Sequence, residues 1–239
     1  MPTVLLLRHG RSTANAAGIL AGRADGVDLD DKGREQAAEV GRRLDGVSLA
    51  RVVSSPIARC QQTAEATLAA AGITAEIVVD ERLSECDYGD WTNRKLSELA
   101  QEGIWRTVQD SPSLVEFPGG ETMAAMRDRV ISAVREHDDQ VRTEHGDHAV
   151  ILVVSHGDPI KAVISDALGQ SFDLFQRIMV DPASVSVLHY GPERPFICSV
   201  NTHSGPLADH IPTAPVTEAA VGGGAGHDAN RTAAEEASR

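Results

Sequence analysis

The chain has 239 residues, 41% of them hydrophobic, 24% charged and only 3% aromatic, so one globular domain with an aliphatic core is expected. Its 22 basic and 35 acidic residues give a formal charge of −13, which argues against a general nucleic-acid binder, because such a protein needs a basic face. Cys60, Cys86 and Cys198 lie far apart with no C-x-x-C pair, so neither a disulfide scaffold nor a zinc ribbon is expected, and a reducing cytoplasm is the simplest compartment. The start lacks the basic region and cleavage site of a signal peptide. The apolar run at residues 149–154 falls far short of the roughly 20 residues of a membrane span.

Residues 4–7 form an apolar run that stops at Arg8-His9-Gly10, the pattern of a strand buried on both faces. Ala37, Val40 and Leu44 recur at helical spacing, and Gly46 closes that helix. Residues 50–54 read as a second strand. Ser55-Pro56 then reads as an N-cap with proline at the first helical position, opening a helix with Ile57, Ala64, Leu68 and Ala71 inward. Residues 77–79 make a third strand. This alternation predicts an α/β fold with a largely parallel sheet. Residues 81–120, broken by Gly89, Gly103, Pro112, Pro118 and Gly119-Gly120, read as a helical excursion or lid. A helix is expected over about 121–137, a strand over 149–154, and another helix from Pro159, with Asp158 as its cap. Residues 184–190 and 196–200 suggest a closing hairpin. From about residue 205 the chain holds almost no large apolar side chains and includes Gly222-Gly223-Gly224, so residues 205–239 read as a disordered tail after a domain spanning 1–204.

Ligands of such sheets sit at the carboxyl ends of the strands. Three strand ends carry polar residues: Arg8-His9-Gly10, Ser54-Ser55-Pro56 with Arg59 one turn inside the next helix, and Ser155-His156-Gly157. Two histidines and two arginines gathered on one rim of an acidic protein suit an anion, and arginine's forked donors match a phosphoryl group. Taken singly, Arg8 is a surface cation and His9 a turn residue; their combination in order carries the reading. His145-Gly146-Asp147-His148 has no fourth ligand in context, and no metal site is assigned.

Four separated blocks resemble the histidine phosphatase superfamily, phosphoglycerate-mutase-like branch: Leu7-Arg8-His9-Gly10, the stretch from Ser54 to Ala64, the stretch from Leu83 to Trp91, and Ser155-His156-Gly157. The resemblance spans residues 3 to about 200. It implies a three-layer α/β/α sandwich and a phosphohistidine intermediate on His9. It further implies that Arg8, Asn15, Arg59 and His156 bind the phosphoryl group, with His156 protonated, and that Glu85 is the proton donor. No metal and no cofactor is required, and the implied partner is a small phosphorylated substrate. Related proteins are often dimers, so a homodimer is compatible with the resemblance, while neither nucleic acid nor membrane is expected as a partner.

Fold similarity alone does not separate transfer of the phosphoryl group to water from its return to substrate. The segment between Glu85 and His156 is shorter than the resemblance gives for cofactor-dependent phosphoglycerate mutases. It has no adjacent arginine pair, and the block Asp87-Tyr88-Gly89-Asp90-Trp91 is similar to phosphatase members. A phosphomonoester hydrolase is therefore expected. The alternatives are a phosphoglycerate mutase or other phosphomutase, and an inactive module that only binds phosphorylated ligands. Trp91, Arg94, Lys95, Trp105 and Phe117 are candidates to line the substrate pocket, with ordinary packing the favoured role for the aromatics.

Overall fold

The computed structural model describes residues 2–204 and 221–224. Six strands form one sheet: β1 (Thr3–Arg8), β2 (Arg51–Ser54), β3 (Ile77–Val79), β4 (Val150–Ser155), β5 (Val185–Tyr190) and β6 (Pro195–Thr202). Their order is β3-β2-β4-β1-β5-β6. The first four run parallel, and the β5–β6 hairpin lies antiparallel on the β1 side. The expected mostly parallel sheet and closing hairpin are both present.

Side-chain alternation along the central strands builds two cores. Val4, Leu6, Val53, Ile151 and Val153 face one side, where they meet α6 (Met123–His145) and α7 (Gly157–Ala167) through Met126, Val130, Val134, Ile160 and Val163. Leu5, Leu7, Val52, Leu152 and Val154 face the other, against α2 (Asp31–Arg43) and α3 (Ala58–Ala71) through Val40, Leu44, Cys60, Ala64 and Leu68. A strand apolar at every position is what burial on both faces demands, and the outcome is the predicted three-layer α/β/α sandwich.

Residues 81–120 hold only short elements: α4 (Leu96–Leu99), α5 (Trp105–Asp110) and single 3₁₀ turns. Arg129 on α6 ties the excursion down. It donates to the carbonyls of Arg82, Ser84 and Glu85 at 2.7, 2.7 and 3.0 Å and pairs with Glu121 at 2.6 Å.

Three local expectations need correction. Helix α3 starts at Ala58, not Pro56, and its N-cap Ile57 offers no side-chain acceptor. The Ser55 hydroxyl accepts from Ile57 N at 3.3 Å, ahead of the helix, and meets His156 at 2.8 Å. Helix α6 runs on to His145, beyond the expected end near 137, because Val141 continues its buried face. Asp158 is not a cap. His156 holds that position, and Asp158 sits fully buried in the first turn of α7, where the Tyr88 hydroxyl donates to it at 2.7 Å. The tail expected over 205–239 lies largely outside the described residues; residues 221–224 are described and pack against the strand ends.

Candidate active site

β1 and β4 are neighbours in register, with Arg8 opposite Ser155, so the residues that follow them leave the sheet side by side. The His9 and His156 rings consequently sit edge to face with centroids 5.2 Å apart. β2, on the other side of β4, delivers Ser55 and then Arg59 to the same place. Arg8, His9, Arg59, Glu85 and His156 are each at most 3% exposed.

The His9 Nδ1 lies 2.7 Å from the Gly10 carbonyl, and the Arg59 Nε donates to His9 Nε2 at 3.2 Å. Both contacts demand the same tautomer, with hydrogen on Nδ1 and a lone pair on Nε2. Burial first, then the Arg59 and Arg8 guanidiniums, push the His9 pKa well below the ordinary imidazole value. The ring is therefore neutral with its free pair turned into the pocket.

His156 has the opposite arrangement. Its Nε2 meets Ser55 Oγ, and its Nδ1 accepts from Arg59 Nη2 at 3.0 Å. Burial and the charge of Arg59 hold it neutral as well, so the expected protonated form does not describe the free site. Arg59 Nη2 also donates to the Gly22 carbonyl at 2.7 Å, while its Nη1 is buried with no hydrogen-bond partner. A buried, unpartnered guanidinium nitrogen is costly, and an anion placed beside it would relieve that cost.

Arg8 donates from Nη1 to the Val180 carbonyl at 2.8 Å, which aims its Nη2 at the pocket. Asn15 reaches the same space from α1 (Thr13–Ala16). Its Oδ1 accepts from the Ser12 backbone at 3.1 Å and from the Ser12 hydroxyl at 2.9 Å, leaving Nδ2 as an outward donor.

Glu85 closes the pocket from the excursion. Its Oε1 accepts from Cys86 N at 2.9 Å, and its backbone carbonyl is held by Arg23 and Arg129. Burial, reinforced by the negative charge of Asp158, raises its pKa to about 7, against the lowering pull of Arg59 and Arg8. Its carboxyl can therefore carry a proton near neutrality.

The structure thus brings together Arg8, His9, Asn15, Arg59, Glu85 and His156, while Arg94, which pairs with Glu102 at 2.6 Å, and Lys95 do not line the pocket. It also adds residues that sequence reasoning passed over. Ser55 orients His156. Thr63 accepts from Gly10 N at 3.0 Å and donates to the Arg59 carbonyl at 2.7 Å, joining the two phosphoryl-facing segments. Tyr88 and Asp158 form a buried pair beneath Glu85, with Lys161 3.4 Å from Asp158. The polar cluster at the end of β2 was the available signal for Ser55; nothing local marks Thr63. Trp91, Trp105 and Phe117 are buried in the core, as packing predicted, with Trp91 stacked on Trp105 at 6.0 Å and edge to face with Phe117 at 5.2 Å.

A family model described as the histidine phosphatase superfamily (branch 1) matches residues 4–203. Phosphoserine phosphatase 1 of Hydrogenobacter thermophilus is 32% identical over 204 residues, covering 84% of this chain and 92% of that protein. A protein named probable phosphoglycerate mutase GpmB, from Erwinia tasmaniensis, is 31% identical over 201 residues, covering 83% and 89%. The solved structure of Bacillus stearothermophilus YhfR superposes with a TM-score of 0.75 at 25% identity over 86% of this chain and 98% of that one. Since the match runs from the first strand of the sheet to the last, the chain is an enzyme of the histidine phosphatase superfamily, branch 1.

Proposed function

We propose that the enzyme hydrolyses small phosphomonoesters through a phosphohistidine on His9. The observation that carries this reading is the His9 ring itself: Nδ1 held by its own Gly10 carbonyl, and Nε2 presented with a lone pair beside Arg59. In the first step Nε2 attacks phosphorus and the bond from phosphorus to the ester oxygen breaks. Protonated Glu85 gives its proton to the departing oxygen. In the second step water attacks the phosphohistidine, the P–N bond breaks, and the Glu85 carboxylate takes the water's proton. Inorganic phosphate and neutral His9 result. Arg8, Arg59, Asn15 and His156 bind the phosphoryl oxygens, and the two guanidiniums balance the charge that spreads over them in transit. Arriving with its dianionic charge, the substrate favours protonation of both Glu85 and His156.

Hydrolysis is favoured over mutase chemistry by how the neighbouring arginines are used. Arg23 and Arg129 are engaged by the Glu85 carbonyl and by Glu121, so neither is free to grip a substrate carboxylate. Ile19, Leu20 and Leu96 supply an apolar wall to the pocket instead. Several relatives bear a mutase name, so the direct test is product analysis. The enzyme should release inorganic phosphate from a chromogenic phosphate ester without 2,3-bisphosphoglycerate and in the presence of EDTA. A strict requirement for bisphosphoglycerate, with isomerised phosphoglycerate as the product, would replace this reading with the mutase. Failure to turn over any ester would leave a phosphate-binding module. We place this activity in a homodimer or monomer of the cytoplasm, acting on a small phosphorylated substrate whose leaving group is chosen by residues 81–120.

A further inference from the structure

The pocket above His9 is filled by the chain itself. Residues 221–224 lie across it, and their backbone takes up the donors that face inward. Arg8 Nη2 donates to the carbonyls of Gly222 and Gly224 at 3.2 and 2.6 Å, and Asn15 Nδ2 donates to the Gly224 carbonyl at 3.1 Å. Gly222 N donates to Asp158 Oδ2 at 3.2 Å, and Val221 is 1% exposed. Beside this segment the cavity is about 20 Å³, room for one water and none for a phosphate ester.

We propose that residues 221–224 are an internal competitor for the phosphoryl group, docked on Arg8 and Asn15 and obliged to leave before a phosphate ester binds. This inference rests on the reading of the pocket as a phosphoryl site. Each donor the segment occupies is one that a phosphoryl oxygen needs, so the two occupants exclude each other. The glycines are required for the fit. Gly222 has φ of 67°, a conformation that side chains disfavour, and a Cβ there would lie 3.1 Å from Leu20 Cδ1 and 3.3 Å from the Tyr88 hydroxyl. The segment offers neutral carbonyls, and a phosphate offers charged oxygens. The Arg8 guanidinium forms an ion pair with a charged phosphate oxygen and only an ion–dipole bond with a carbonyl, so phosphate displaces the segment once its concentration is high enough. Its weakened apparent affinity measures the population of the docked state.

The test is calorimetric binding of inorganic phosphate to the full chain, to Gly222→Val and to a chain lacking only residues 221–224. A docked population of about nine in ten predicts about tenfold tighter binding in both variants. Backbone hydrogen exchange at Gly222, whose N–H donates to Asp158, should accelerate in the full chain when phosphate is added. Equal affinity in all three proteins, or phosphate bound with that amide still protected, overturns the competitor and leaves the phosphatase intact. Absence of phosphate binding in all three overturns both.

Discussion

The ends of β1 and β4 carry the same pattern, an apolar run, a histidine and a glycine, yet the structure gives the two rings opposite wiring. His9 spends Nδ1 on its own backbone and keeps Nε2 for the pocket. His156 has Ser55 on one nitrogen and Arg59 on the other. The neighbours of β4 explain the difference. It is flanked by β1 and β2, so its terminal histidine meets side chains from both. β1 turns instead at Gly10, where any Cβ would overlap the Gly33 carbonyl oxygen, and its histidine folds back onto that turn. Under the proposed mechanism, a strand-end histidine is made nucleophile or phosphate ligand by what its second nitrogen touches.

Substituting the two rings should separate these roles most sharply. His9→Ala is expected to lose on the order of 10⁴-fold or more in kcat/KM with a chromogenic ester, as removal of a nucleophile does. His156→Ala should lose about 10²- to 10³-fold, the scale of one lost charge-stabilising donor. Equal losses would erase the distinction between the rings. Labelling with a ³²P-ester, quenched in alkaline detergent because the P–N bond of phosphohistidine is acid-labile, should show phosphoenzyme in His156→Ala and none in His9→Ala.

The proton donor gives the next effect. Glu85→Gln should cost about 10²- to 10³-fold. In the native enzyme Glu85 is protonated below about pH 7, so kcat/KM should fall as pH rises through that value. The acid limb, set by His9, should lie well below the ordinary imidazole pKa. Glu85→Gln should abolish the alkaline limb. Stability has the same sign. A carboxyl raised in the folded state favours folding below its unfolded pKa and loses that contribution as pH rises through about 7. Urea titrations should therefore show Glu85→Gln gaining on the native protein at pH 8 and not at pH 4.

Ser55→Ala removes the Nε2 partner of His156 and nothing of His9. A loss of about 5- to 30-fold is expected, equivalent to about 1–2 kcal/mol for one buried hydrogen bond. A matching loss in Thr63→Ala would show that the turn at Gly10 and the seat of Arg59 depend on one hydroxyl. Gly10→Ala is read in urea, as about 1–3 kcal/mol of lost stability when the turn shifts to clear the Gly33 carbonyl, and activity should fall with it because the same turn holds His9 Nδ1.

Much of this was legible in one dimension. Three apolar runs with polar ends, at residues 4–7, 50–54 and 149–154, call for two-sided burial, and a sheet with helices on both faces supplies it. Arg8, His9, Arg59 and His156 each follow a strand or open a helix, so their convergence on one rim follows from the parallel order of the strands. Glu85 came from motif resemblance, since the irregular excursion that carries it has no periodicity to read. Ser55 was misread as a helix cap because capping is a local rule, and the ring that claims its hydroxyl lies 101 residues away. Asp158 was misread for the same reason, its partner Tyr88 being 70 residues distant.

Chain order and side-chain type alone determined the layers, the rim and the residues able to grip a phosphoryl group, because hydrophobic alternation and strand ends are properties of neighbouring residues. Which nitrogen of each histidine faces Arg59, why a glutamate near neutrality keeps its proton, and what the glycines of residues 222–224 cover were decided only in three dimensions. Desolvation and hydrogen-bond partners come from residues far along the chain, and no local pattern encodes them.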